Sequence, residues 1–580
     1  MDQPVCRGLG GRLADALVVA LAAVLPVGLH RSFIAEDGEL PWEDAPGHLV
    51  ILIRWYEALF QGSPPPADPY PPGLYSVASV CLHTFGSRLP AAQWAVVLFA
   101  SALAAALAVI GLRLQGRTAG LLLPALVCAA PSVSIYSRMF LLEVPATAAL
   151  AWVAVAVVTC DGFRRPIPTI GLGLALAATA LTKYPFLVWA PAMLVVPFVV
   201  MLRRAPASML VLAGFAVPIG WVLQRLAERV DGGGAVDVGA CLRALGLSGG
   251  LGVIAWSVLA WRRLHLSLLP GLRLGLAAVL ALALVTPWLA LAGATLGENV
   301  IFNVVEKERP GIDENLKTAW VGLQLAWPWT AAALAVGGGL ALVELVARRW
   351  FPLARGFGVD PSRGPVIVPV LVAATVAASG AWVTAATLMP NNRYYLPLYP
   401  IAAVVIGVPV ARLVFTRWLA GPALAAVCAV QLLAAADLYE PPASVTFEMN
   451  PLQPSHPSAD GMFFVPRDRY PWGPRAAVER ALSVLKAQFV ASGCSGIRVR
   501  RSRGDLRSIP ALAVLHGFGE CDLDGDPRSR ATPRGWLLVA LPPADIERIA
   551  PAVSDGGDWR VVYEETLADT TRVSARLRER

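Results

Sequence analysis

Charge is scarce in this 580-residue sequence: Asp, Glu, Lys and Arg make up 15% of it, against 56% hydrophobic residues. So few charges cannot cover soluble domains of that length, and a mean hydropathy of +0.60 places the chain among polytopic membrane proteins. A concentrated basic face is missing as well. The formal charge of +8 is distributed over short loops, which excludes nucleic acid as a partner. The eight cysteines form no CxxC pair and no Cys/His spacing suited to zinc, so most read as small apolar fillers. Internal repeats and long low-complexity segments are absent too. A small-residue cleavage site does not follow the first apolar run, Leu13 to Leu29, so that run is expected to be a retained transmembrane helix.

What the sequence has in quantity is apolar runs of the length that crosses a bilayer, about 17 to 25 residues. They fall near positions 13–29, 91–112, 118–135, 142–160, 167–182, 184–202, 207–224, 241–261, 272–294, 319–347, 365–389, 395–415 and 418–437, about thirteen spans if the pair flanking Lys183 is two helices and not one broken one. The basic pairs Arg113 and Arg117, Arg164 and Arg165, Arg203 and Arg204, and Arg262 and Arg263 occupy alternate loops. By the positive-inside rule these loops and the N-terminus are cytoplasmic, and the opposite loops, richer in Asp and Glu, lie outside. The expected fold class is therefore an all-α polytopic membrane domain over residues 1–437, with an outer loop at 31–88. Residues 438–580 have no spanning run and balanced charges, and are expected to form a small extracytoplasmic α/β or α+β domain. There Pro474 to Phe489 has the periodicity of an amphipathic helix, and Trp536 to Leu541 and Val561 to Tyr563 of strands. Cys494 and Cys521 share this segment, as a disulfide or as two thiols.

The outer loop 31–88 carries an acidic group that includes Asp37, Glu43 and Asp44, then His48, then Tyr70-Pro-Pro-Gly-Leu-Tyr75. Ala45 to Gln61 can form a helix at the membrane interface, with Leu49, Leu52, Ile53, Tyr56, Leu59 and Phe60 largely on one side. Asp44 then stands at its N-terminus with His48 one turn on, suited to accept a proton with His48 as orienting partner, or to share a divalent metal with it. An N-cap aspartate and an interfacial histidine are the plainer alternative. Pro71 and Pro72 can start a second short helix. Further charges sit at outer helix ends: Arg138 and Glu143 in Ser137-Arg-Met-Phe-Leu-Leu-Glu143, Lys183 in Thr182-Lys-Tyr-Pro185, and Arg393 in Asn391-Asn-Arg-Tyr394. Ionisable groups at membrane depth usually line a site, and Lys and Arg bind phosphate oxygens well. Snorkelling anchors are the alternative for each taken singly. Trp288, Trp320, Trp327 and Trp329 read as interfacial belt residues.

This ordered set resembles the GT-C superfamily of polytopic glycosyltransferases, in the branch of the protein O-mannosyltransferases and the bacterial lipid A aminoarabinose transferase. The resemblance covers about residues 10 to 415. It implies a sugar donor linked to a polyprenyl phosphate, transfer to a lipid, glycan or protein acceptor on the extracytoplasmic face of a bacterial plasma membrane, and a first-loop carboxylate as base. By position Asp44 is similar to that base, with Glu43 and Asp37 as alternatives, and Glu143 to a second acidic site. Lys183, Arg138 and Arg393 correspond to donor-phosphate contacts, with His48, Tyr70 and Tyr394 beside the substrate. The family often has Asp-Glu at the first-loop motif, where this chain has Glu43-Asp44-Ala45. A transporter or flippase of lipid-linked sugars, or an inactive relative that binds a partner, are the rival classes. Transporters more often show repeats and polar groups near the midplane, whereas the ionisable residues here gather at helix ends.

Overall fold

The structure, a computed structural model, describes residues 9–36, 44–86, 89–128, 130–230, 238–261, 268–301, 367–387 and 392–412. It also describes scattered positions between 312 and 346 and between 478 and 487, and the strands named below. The spans expected at 418–437 and, except for isolated positions, at 319–347 lie outside these residues, as do Cys494, Cys521, Trp327 and Trp329.

The helices are α1 (Leu9–Glu36), α2 (Ala45–Phe60), α3 (Gly73–Phe85), α4 (Leu89–Leu114), α5 (Arg117–Cys128), α6 (Pro131–Arg138), α7 (Glu143–Thr159), α8 (Pro166–Lys183), α9 (Ala190–Arg204), α10 (Ser208–Val230), α11 (Val238–Trp261), α12 (Leu269–Ile301), α13 (Ile367–Thr387) and α14 (Leu398–Arg412). The helix α2 spans almost the expected residues, and α3 starts directly after Pro72. The span expected at 118–135 is divided between α5 and α6. Among the described residues seven helical stretches are long and apolar enough to cross a membrane, and the chain is an integral membrane protein. Its four described cysteines that are free thiols, Cys81, Cys128, Cys160 and Cys241, are buried.

One of the seven stretches, Pro166–Arg204, has 39 residues, about 58 Å if it were a single straight helix at 1.5 Å per residue. That is nearly twice the hydrocarbon thickness. The 3-10 turn Tyr184–Trp189 interrupts it, and contacts at the helix ends show that the chain reverses there. Lys183, at the end of α8, pairs with Glu143 at the start of α7, whereas Arg204, at the end of α9, pairs with Asp161 just beyond α7 at 3.2 Å. The helices α8 and α9 are therefore two traverses of the bundle.

The same reasoning sorts other ends. Arg117 bonds Asp15 and the Gly11 carbonyl, and Arg273 donates to the Arg164 carbonyl. At the opposite end of α12, Thr295 donates to the Ala67 carbonyl at 3.1 Å. Polar contacts thus gather at two ends of the bundle, one marked by Asp161 and one by Glu143, as the alternation of basic loops requires. In the body of the bundle small residues let backbones approach, as expected where lipid offers no hydrophobic force between helices. A Cβ on Gly173 would collide with the Ala277 carbonyl oxygen, so α8 and α12 meet there in near backbone contact.

Trp288 departs from the belt expectation. Only 4% exposed, it packs in an apolar cluster with Leu296 and Ala180 and lies beside Tyr184, so α8 covers a ring that sequence position alone assigns to the headgroups.

In the C-terminal segment Val478, Ala481, Leu482 and Leu485 are helical and buried, as their spacing predicts. Five strands, β1 (Arg498–Arg501), β2 (Asp522–Leu523), β3 (Gly535–Ala540), β4 (Trp559–Thr566) and β5 (Arg572–Arg578), form one sheet in the order β2-β1-β3-β5-β4. The strand β1 runs parallel to β2 and β3, and β5 antiparallel to β3 and β4. The strands β3 and β4 follow the sequence expectation. The strand β5 does not, because Arg-Val-Ser-Ala-Arg-Leu-Arg has little apolar character, yet Val573, Ser574 and Ala575 are all buried in it.

Candidate active site

The site lies at the Glu143 end of the bundle, where α7 begins and α8 finishes. Glu143 is in the first turn of α7 and Lys183 in the last turn of α8. A carboxylate is favoured at a helix N-terminus and a cation at a C-terminus, so two antiparallel helices bring together opposite charges that each suit their own helix. Glu143 is buried, with 2% of its side chain exposed, and its Oε1 accepts from Lys183. The guanidinium of Arg393, carried on the 3-10 turn Asn392–Tyr395 between α13 and α14, spans two carboxylates. Its Nη2 is 2.6 Å from Asp44 Oδ2, and its Nε is 3.4 Å from Glu143 Oε1. Positions 44, 143, 183 and 393 thus meet as two carboxylates and two cations. The other carboxylate oxygen of Glu143, Oε2, is buried and has no hydrogen-bond partner among the described residues.

Aromatic side chains wall this cluster. The ring of Tyr394 has Lys183 Nζ at 4.5 Å and the Arg393 guanidinium carbon at 5.4 Å from its centre, both within cation–π range. His48 Nδ1 and the Tyr75 hydroxyl are 2.7 Å apart, and the imidazole meets Tyr70 edge-on with ring centres 4.9 Å apart. Gly73 makes this wall possible. A Cβ there would stand 2.6 Å from the Leu181 carbonyl oxygen, so glycine lets α3 seat against the end of α8, two residues before Lys183.

Of the residues singled out in the sequence, Asp44, Glu143, Lys183, Arg393, His48, Tyr70 and Tyr394 are brought together. Arg138 Nε donates to His30 Nδ1 of α1 at 3.3 Å. Glu43 and Asp37 lie outside the described residues. The His48 imidazole hydrogen-bonds the Tyr75 hydroxyl while its backbone amide donates to the Asp44 carbonyl at 3.0 Å, and among the described residues there is no group of three or more His, Cys, Asp or Glu side chains that could hold a metal ion. Tyr75 is a site residue that sequence reasoning misses. Its signal is the helical spacing Tyr75, Ala78, Ser79, Leu82, the buried face of α3.

Asp44 is the accessible member, with 52% of its side chain exposed. It stands at the N-cap position of α2, where its carboxylate makes no capping bond and is free to engage Arg393. Partial burial acts to raise its pKa, but the charge and hydrogen bond of Arg393, with His48 and Lys183 beyond, outweigh this and hold the carboxyl below its ordinary range. Burial lowers His48 to about 4 against the pull of Glu143 and Asp44, so a neutral imidazole faces an ionised Asp44 at neutral pH.

These shifts carry a pH dependence of stability. The unfolded chain protonates His48 near its ordinary pKa of 6.5, whereas the folded chain resists until about 4. The stabilisation is therefore complete above 6.5 and lost as pH falls towards 4, in total about 3 kcal/mol. The depressed Asp44 works in the same direction, its contribution being lost as pH falls through its folded-state pKa. Melting temperature in nanodiscs is expected to drop between pH 7 and pH 4.5, and to drop less in His48→Asn. An equal drop in both would show that His48 is not the group responsible.

Neither a protein-family model nor a curated protein sequence matches the chain. Among solved structures, ArnT from Cupriavidus metallidurans bound to undecaprenyl phosphate aligns over 98% of each chain at 16% identity, with a TM-score of 0.50. The chain has the fold of ArnT. The same protein in its apo state aligns over 97% of each chain at 16% identity, with a TM-score of 0.49. The ArnT fold is that of a GT-C lipid A aminoarabinose transferase, the architecture to which the ordered motifs of this sequence point. At 16% identity the likeness is one of architecture.

Proposed function

We propose that this protein is a membrane glycosyltransferase that moves a sugar from a polyprenyl-phosphate donor to an acceptor at the extracytoplasmic face of a bacterial plasma membrane, inverting the anomeric centre. The observation that carries this reading is Arg393 bridging Asp44 and Glu143 beside Lys183. Two cations at one end of an apolar bundle suit the phosphate of a donor that arrives through the membrane. Lys183 and Arg393 receive the charge that develops on the departing phosphate, an electrostatic contribution of the kind that dominates many transfer reactions. Asp44, ionised and half exposed, accepts the proton of the attacking acceptor hydroxyl. Glu143 is too buried to meet the acceptor and holds the two cations in place. Binding of undecaprenyl phosphate by ArnT, whose fold this chain shares, supports the choice of donor.

Proteoliposomes containing the purified protein, given a radiolabelled undecaprenyl-phosphate sugar and a cell-envelope extract, test the reading. Label is expected to pass to the extract as free undecaprenyl phosphate accumulates. Movement of intact donor across the bilayer with no cleavage of the sugar–phosphate bond would overturn it in favour of a flippase.

A further inference from the structure

A second polar recess lies on the same first loop, outside the charged cluster. Arg54 and Glu57 of α2 form one wall, and the run from Ser63 to Asp68 forms the other, enclosing about 400 Å³. That volume is within the range of small-molecule sites. The recess is built by local chain geometry. The carbonyl of Glu57 accepts from the amides of Gln61 and Ser63, and Gly62, at φ +76, turns the chain in the left-handed conformation glycine favours. Pro64, Pro65 and Pro66 then hold the returning segment extended.

Both ends of that segment are anchored. Ala67 is held to α12 through Thr295, and Asp68 Oδ1 accepts from the Tyr70 amide at 3.0 Å. The Arg54 guanidinium lies within electrostatic reach of the Asp68 carboxylate, and Glu57 is the third charged side chain of the lining. The recess therefore presents a guanidinium and two carboxylates, one of which, Asp68, has one oxygen engaged.

Its position relative to the reaction centre decides what it can hold. Tyr70 stands between the two, bonded to Asp68 on one side and packed on His48 on the other, within the electrostatic reach of Asp44 and Arg393. Along α2 the distance from position 44 to position 54 is about 15 Å at 1.5 Å per residue. A group in the recess is thus too far away to be the one that reacts at Asp44, but a single extended molecule can reach both places. Carboxylates that accept and a guanidinium that donates are matched to neighbouring hydroxyl groups, which do both. We infer that the recess between α2 and the Pro64–Pro66 run is an acceptor subsite that binds an oligosaccharide segment several rings from the hydroxyl glycosylated at Asp44. The inference rests on the transferase reading for its acceptor, while the binding itself is measurable without turnover.

The test is saturation-transfer NMR of the full chain in nanodiscs with mannotriose, chitotriose and maltotriose, each against its methyl monoglycoside. In parallel, the thermal shift given by undecaprenyl phosphate is recorded. At least one trisaccharide is expected to bind more tightly than its monoglycoside. The double variant Arg54→Met with Glu57→Leu is expected to weaken it about tenfold or more, as for loss of charged hydrogen bonds. Both side chains face the recess and not the helix core, so the undecaprenyl phosphate shift is expected to persist in that variant and to certify its fold. Asp44→Asn is expected to leave trisaccharide binding intact. Absence of trisaccharide binding in the wild type, or equal binding in the double variant, overturns the subsite even where donor and turnover assays succeed. Binding with the expected variant pattern, but with no undecaprenyl phosphate shift in the wild type, sustains the recess and sinks the donor reading instead.

Discussion

Asp44→Asn is expected to lower turnover by about 10²- to 10⁴-fold, the range for removal of a general base, with little change in stability. The two halves of this expectation have separate origins. On the chemical side, Asn keeps the size and the hydrogen-bonding oxygen of the side chain but cannot take a proton, and Asp44 is the accessible carboxylate of the cluster. On the structural side, Asp44 makes no capping bond to α2, and its pair with Arg393 is half exposed on the carboxylate side, the setting in which an ion pair is worth about 1 kcal/mol or less. Turnover is measured as release of undecaprenyl phosphate, and fold by the melting curve. Full activity in a folded Asp44→Asn protein would transfer the role of base to Glu43 or Asp37, whose variants are the next to be assayed.

The Glu143–Lys183 pair is expected to behave in the opposite way, with large effects on both stability and rate. Glu143→Leu leaves the Lys183 ammonium, 12% exposed, without its carboxylate, and Lys183→Met leaves a buried carboxylate with only the longer contact to Arg393. Breaking a buried pair by removing one partner costs about 3–5 kcal/mol, whereas replacing both partners by apolar groups is often neutral. Each single variant should therefore melt well below the wild type, and the double variant Glu143→Leu with Lys183→Met should recover most of that loss. Activity should not recover, because the double variant lacks the cation that faces the departing phosphate; the loss from Lys183→Met is expected to be about 10²- to 10³-fold. A double variant no more stable than either single one would mean that the pair does not act as a unit. Recovery of activity with stability would mean that Lys183 has no role beyond packing.

Much of this site is legible in the amino-acid sequence. Asp44, Glu143, Lys183 and Arg393 are charges interrupting or bordering apolar runs, and the alternation of basic pairs assigns all of them to the same end of the helices. Hydropathy and period reveal where a helix ends and which way it faces, and for Asp44 this is sufficient. They do not reveal which ends are neighbours. Spacing in α2 puts His48 beside Asp44, and the fold adds Tyr75 of α3 as the imidazole's hydrogen-bond partner. Hydropathy and period likewise do not show that Arg138 hydrogen-bonds His30 of α1. Trp288 has those of a headgroup anchor and is core.

By itself, then, the sequence determined that the chain lives in a membrane, the approximate position of most of its described helices, and the set of charges at one end. Each of these follows from local free energies, the cost of exposing backbone and charge to hydrocarbon over some 20 residues. Tertiary structure alone decided that one guanidinium bridges carboxylates from two helices and that Glu143 is the buried member and Asp44 the open one. It also decided that the proline run folds back on α2 to make a second recess. The reason is that lipid tails are as apolar as the helix surfaces, so side-by-side association is selected by close packing of small residues such as Gly73 and Gly173 against particular backbones, and composition and period carry no record of such contacts.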